Sequence, residues 1–260
     1  MRIFKLASAA LVFLGLSTAS VFAQSVDDIK TRGTVRIAID TNNPPWGMMD
    51  ASMQPDGNDV SVAKLLAKHM GVELEIVPVT SQNRIPYVLS GQADLVISSL
   101  TITPERAQQI WFSIPYAMQE SVVMARKDAK IESFEDLAGK KVSIVRGAIQ
   151  EPLLVSKVPT VEMMRYDSDA STIQAVTSGQ VDAGAVGFLT PAAVNKTQGG
   201  DNYEKKLSLG QQHFGIGMKR GNTDLLQWVN TFIYYVRQNG ELAASFEHYA
   251  EQPLPELPSF

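Results

Sequence analysis

The chain of 260 residues carries 23 Lys+Arg against 27 Asp+Glu, a formal net charge of −4, and no cysteine. An acidic balance argues against nucleic acid or an anionic membrane as partner, and a chain without thiols has neither disulfides nor thiolate metal sites. The length suffices for one large or two ordinary domains with full hydrophobic cores.

Residues 1–23 read as a secretory leader. Arg2 and Lys5 precede an apolar run from Leu6 to Leu16, and Val21-Phe22-Ala23 places small residues before a cleavage point. The run is too short to span a membrane, no later stretch reaches the ~18 apolar residues a spanning helix needs, and no cysteine follows to take a lipid. The expectation is a soluble protein exported to the periplasm.

Beyond the leader, residues 34–39 alternate as a strand. Asp59 is read as the cap of a helix through Met70, stopped by Gly71; 73–79 is a strand, 84–89 a short helix before Gly91, and 94–98 a third strand. This βαβαβ order implies a parallel sheet with right-handed crossovers. The third strand runs into Ser98-Ser99-Leu100-Thr101-Ile102-Thr103-Pro104-Glu105-Arg106. Thr103 suits an N-cap and Pro104 the first helical position, so hydroxyls, free amides and the Arg106 guanidinium converge at a strand's carboxyl end. Such a place fits a carboxylate, whose two oxygens match the planar N–H fork of arginine.

A second α/β set follows Pro115-Tyr116. Strands are expected at 122–125, 141–145 (running into Gly147), 161–165 and 181–186, with a helix at 171–177; Ser133 to Asp136 resembles a capping box with Asp in place of Glu. After a strand at 214–218, a helix at about 223–238 carries Leu225, Leu226, Val229, Phe232, Ile233 and Val236 as one buried stripe. The reading is two α/β units of similar size, without repeats or low-complexity linkers.

Several pieces, in this order, resemble the periplasmic solute-binding proteins of polar amino-acid ABC uptake systems, known as solute-binding protein family 3. They are Gly33 to Asp40, Asn43-Pro44-Pro45-Trp46, Gly57-Asn58-Asp59-Val60, Arg84-Ile85-Pro86 with Gly91 and Asp94, and the Ser98 to Arg106 turn. Further on come Phe112 to Tyr116, Asp136 to Val142, Gly179-Gln180-Val181-Asp182-Ala183 and Pro253 to Pro258. The resemblance implies an α/β, two-lobed periplasmic-binding-protein fold, each lobe a mostly parallel sheet flanked by helices, with two hinge strands between them. Lobe 1 would take residues 25–117 and 220–260, and lobe 2 residues 118–219 including the hinge strands. A monomer would close over a small carboxylate ligand and present it to an ABC permease in the inner membrane.

The resemblance also assigns ligand-binding positions. Arg106 would hold the ligand carboxylate, helped by Thr101 and by the glycine turn of lobe 2, here Gly147 to Gln150, with Ile149 where hydroxyl residues are usual. Ser98 and Ser99 contribute to the same cradle, Asn43 stands where relatives often carry an aromatic ring, and Trp46 either packs beneath its loop or forms a cleft wall. For Arg106 the plainer alternative is a surface ion pair with Glu105. In this family a carboxylate five positions after the Asp182 position grips the α-ammonium, and here that position is Gly187. Either another acid takes over, with Glu120, Glu151 and Asp40 as candidates, or the ligand has no α-ammonium there.

No cofactor, metal or catalytic set is expected. His69, His213 and His248 lack metal-ligand spacing, and neither G-x-S-x-G nor a phosphate-binding loop occurs. Two other functions stay open: a dehydratase-like periplasmic enzyme on the same fold, and a sensory module serving a separate receptor.

Overall fold

The computed structural model describes residues 25–258, so the leader read at residues 1–23 lies outside the described residues. Ser25 and Asp28 cap each other at the start of α1 (Val26–Arg32), which leads into β1 (Thr34–Ile39). A short hairpin, β2 (Met48–Met49) with β3 (Pro55–Asp56), precedes α2 (Asn58–Met70). Then come β4 (Glu73–Pro78), α3 (Arg84–Leu89), β5 (Leu95–Val96) and α4 (Pro104–Ala107). A 17-residue strand, β6 (Ile110–Arg126), carries the chain into a second unit: β7 (Lys141–Val145), α5 (Gln150–Lys157), β8 (Glu162–Tyr166), α6 (Asp169–Thr177), β9 (Ala183–Gly187) and α7 (Thr190–Gln198). A second 17-residue strand, β10 (Tyr203–Lys219), returns it to α8 (Thr223–Gln238) and α9 (Glu241–Ala250).

The sheet order is β4-β1-β5-β10-β6-β9-β7-β8. The outer three strands on each side pair in parallel, whereas β6 and β10 run antiparallel through the middle and belong to both lobes. The fold is thus the expected α/β, two-lobed one.

Two local readings change. Phe112 to Tyr116 is no break between units but part of β6. Pro115, which lacks an N–H for the ladder, faces Gly215 at a register shift that absorbs the irregularity. Asp59 does not cap α2, because Gly57 holds the cap position and the amides of Asn58 and Asp59 donate to the carbonyls of Pro45 and Trp46. Any Cβ at Gly57 would stand 2.5 Å from the Trp46 carbonyl oxygen, so this approach requires glycine.

Apolar burial follows the two lobes. One cluster joins Ile37, Trp46 and Leu66 with Phe214, and with Val229, Ile233 and Phe246 from the last two helices. Two smaller clusters, one around Val123, Ile144 and Leu154 and the other around Val122, Val176 and Val186, cover the two faces of the second sheet half. The stripe on α8 is buried as its spacing predicts, and each such side chain contributes roughly 1.5–3 kcal/mol by leaving water.

Candidate functional site

The carboxyl ends of β1 and β5 build one wall of an interlobe cleft. Past β5, Ser99 takes a left-handed φ of 41°, a strained conformation for a residue with a Cβ. Its amide donates to the Asp59 carboxylate (2.7 Å) and to the Tyr116 hydroxyl (3.2 Å), while that hydroxyl donates to Asp59 at 2.6 Å. Burial pushes the Asp59 carboxyl up to about 7, against the pull of the Tyr116 and Ser99 hydrogen bonds. Two fully enclosed side chains therefore fix the turn that the sequence marks as an anion cradle. The Ser99 hydroxyl accepts from Asn43 Nδ2 (2.9 Å), and Thr103 caps α4 by accepting from the Arg106 amide at 3.2 Å.

The opposite wall comes from the ends of β7 and β9 and the starts of α5, α6 and α7. Of the residues expected to bind, Asn43, Trp46, Ser99 and Thr101 line the cleft from lobe 1, and Ile149, Gln150 and Gly187 from lobe 2. The other three stand elsewhere. Ser98 is buried behind the wall, its hydroxyl accepting from the Asp40 amide at 3.0 Å. Arg106 and Gly147 border an adjoining groove, where Arg106 donates to the carbonyls of Thr101 (3.0 Å) and Gly147 (3.2 Å) and so ties the two lobes together. It forms no ion pair with Glu105 among the described residues. Burial, and then repulsion from Arg84, lowers the Arg106 guanidinium to about 9.

Trp46 is both packed in the core and part of the cleft lining. Only 3% exposed, it packs edge-on against Phe214 with ring centroids 4.9 Å apart, while its Nε1 reaches across the cleft wall to Gln119 Oε1 at 3.1 Å. That same Oε1 would lie 2.5 Å from a Cβ placed on Gly187. A hinge-strand carboxamide therefore occupies the space that an acidic side chain at 187 would need. None of the three substitute acids named from sequence lines the cleft: Glu120 pairs with Lys205 (2.6 Å), Glu151 pairs with Arg165 (2.6 Å), and Asp40 is buried below the wall.

Two charged residues that sequence reasoning passed over do line it. Arg84, only 4% exposed, begins α3; it donates to the Ser98 carbonyl, but its Nε has no partner among the described residues. Asp169 begins α6 behind the Ser168 cap, and its carboxylate accepts no side-chain hydrogen bond among the described residues. Burial, then repulsion from Asp40, raises the Asp169 carboxyl to about 7 despite the attraction of Arg84. Burial likewise lowers Arg84, opposed chiefly by Asp40. Among the described residues, the cleft thus presents a cation on lobe 1 with one unbonded guanidinium nitrogen and, on lobe 2, an acid without a side-chain partner. No ion pair joins them, although each feels the other's field.

One sheet running through two lobes, with a polar cleft between the strand ends, defines a two-lobed binding protein. The model of the bacterial extracellular solute-binding proteins, family 3, matches residues 35–252, and the chain belongs to that family. It is 29% identical over 242 residues to the L-cystine-binding protein TcyJ of Escherichia coli (strain K12), a match covering 92% of this chain and 91% of the relative. Among solved structures, a solute receptor for L-cysteine of Neisseria gonorrhoeae shares 31% identity and a TM-score of 0.81, over 86% of this chain and 92% of that one. The ancestral amino acid-binding protein AncCDT-1, a precursor of cyclohexadienyl dehydratase, shares 31% identity and a TM-score of 0.79, over 86% and 98%.

Proposed function

We propose that this protein is a periplasmic receptor that closes on an α-amino acid and delivers it, as a monomer and without chemical change, to an ABC permease in the inner membrane. In this reading residues 1–23 are removed on export, residues 25–117 and 220–260 form lobe 1, and residues 118–219 form lobe 2 with the hinge strands. The observation that carries the ligand assignment is the facing of Arg84 and Asp169 across one cleft. The ligand carboxylate takes the hydroxyls of Ser99 and Thr101 and the Arg84 guanidinium, and its ammonium takes Asp169. The acid absent at Gly187, the end of β9, is thereby supplied from the start of α6. Closure follows because ligand bridges the lobes and so favours the state in which both walls meet it.

Calorimetry should compare amino acids with their deaminated keto and hydroxy acids. The expected result is binding of amino acids only, with Asp169→Asn lowering affinity about a hundredfold or more, since an unpaired buried ammonium costs roughly 3–5 kcal/mol. Equal binding of deaminated acids, or an unchanged Asp169→Asn, would remove the assignment.

Asp169 also favours a second reading. A cleft carboxyl lifted to about 7 has the pKa of an effective general acid, which a dehydratase-like enzyme would require. Turnover of a cyclic carboxylate by the purified protein, abolished by Asp169→Asn, would support that reading over transport.

A further inference from the structure

We propose that Gln119 sets the ligand's side-chain chemistry: its carboxamide nitrogen donates to the side chain, so the receptor selects α-amino acids that carry a hydrogen-bond acceptor there and rejects cationic ones. This rests on the amino-acid reading above and concerns the part of the ligand that Arg84 and Asp169 do not address.

The carboxamide has one orientation. An indole N–H only donates, so the bond from Trp46 Nε1 to Gln119 at 3.1 Å turns Oε1 towards the ring and leaves Nε2 pointing away from it. Trp46 is a firm reference, being 3% exposed and packed edge-on against Phe214. Among the described residues Nε2 donates to no partner, and it is not one of the enclosed, unbonded side-chain atoms. Two N–H groups are therefore available on a residue that lines the cleft.

Gly187 leaves this corner to the carboxamide. A Cβ there would stand 2.5 Å from Oε1 and 3.6 Å from Nε2, so the amide lies directly against the end of β9. The chain neighbours of Trp46 and Gly187 in the lining, Pro44, Pro45, Ala185 and Leu189, have no polar side chain. Asn43 is turned to Ser99, in the carboxylate cradle. The Thr190 hydroxyl and the Gln150 carboxamide can offer a ligand either a donor or an acceptor, whereas the sign of Gln119 is fixed by Trp46.

The cleft encloses about 30 Å³, where one water takes roughly 10–15 Å³. An occupant therefore touches its walls on every side, and a side chain reaching Gln119 displaces water from both N–H groups. An acceptor there satisfies them. A methyl group leaves them unpaired, and an ammonium sets donor against donor.

The test is calorimetry at about pH 8, where a carboxyl at position 119 is ionised. It uses α-amino acids of similar shape: aspartate, whose side chain only accepts; asparagine, which accepts and donates; leucine, which does neither; and 2,4-diaminobutyrate, which only donates. The wild type should bind aspartate and asparagine at least about tenfold more tightly than leucine, and 2,4-diaminobutyrate most weakly. Gln119→Met keeps the length of the side chain without its polar group, and should bring the asparagine-to-leucine affinity ratio towards one. Gln119→Glu can still accept from Trp46 but presents a second oxygen in place of the amide nitrogen, so it should reverse the order of aspartate and 2,4-diaminobutyrate. A wild type that prefers leucine or 2,4-diaminobutyrate, or a ratio that either variant leaves unchanged, would overturn the inference while leaving an amino-acid receptor in place. Binding of none of these compounds, with binding of another amino acid, would do the same. If no amino acid binds, the amino-acid reading falls and this inference with it.

Discussion

At the scale of single residues, Asp169 carries a testable asymmetry in pH. Its carboxyl is raised from an ordinary 3.8 to about 7, so the fold favours the protonated acid. That contribution to stability is fully present below the ordinary value and is lost as pH rises through the raised one. Melting curves taken from about pH 5 to about pH 8 should show the wild type losing Tm relative to Asp169→Asn. Ligand affinity should run the other way. An ammonium needs the ionised acid, so binding of an amino acid should weaken about tenfold per pH unit below 7, and Asp169→Asn should flatten that slope. The sequence exposes Gly187 as a gap in a pattern, and the hydroxyls before Arg106 as an anion cradle. It does not expose Asp169 or Arg84, because an acid behind a serine cap reads as a helix-dipole partner and an arginine opening a short helix reads as surface. Only the meeting of the two lobes turns them towards one cleft.

Among the elements, β6 does more than connect. It carries Tyr116, which holds Asp59 and through it the left-handed Ser99, and three residues later Gln119, which holds Trp46. Tyr116→Phe keeps the ring and removes the hydroxyl, leaving Asp59 one hydrogen bond short in a buried place. Chemical denaturation should show a loss of about 1–3 kcal/mol, together with weaker ligand binding as the Ser99 turn loosens. The α8 helix was legible in the sequence because its apolar stripe repeats at helical spacing over 16 residues. The start of β6 was not, since Pro115 argues against a strand unless the opposing bulge at Gly215 is known. The helices α5, α7 and α9 also escaped, being short or only weakly amphipathic in sequence.

For the whole molecule, the seam between lobes is held at backbone distance. Gly147 has a φ of 76°, and a Cβ on it would come within 2.9 Å of Gln82 Cα across the groove. Gly147→Ala should therefore reduce ligand affinity by about tenfold or more, in excess of the roughly 1–2 kcal/mol stability cost of the left-handed backbone. Calorimetry and thermal melts on the same sample separate the two effects, and unchanged affinity would show that the seam need not close this tightly. The family plan of lobes and hinge was readable from motif order alone. The depth of the seam was not, because it depends on which backbone meets which glycine.

The first core cluster draws its members from Ile29 to Met118 and again from Phe214 to Leu257. This has a consequence for the order of assembly. During vectorial synthesis or passage through a pore, the faces of β7 to β9 are complete once β10 brings Tyr203, Leu207 and Leu209, whereas the surroundings of Trp46 stay open until Val229, Ile233 and Phe246 arrive. The lobe that begins the chain is thus the last to be finished, and the residues nearest the carboxyl terminus set when the cleft first acquires both of its walls.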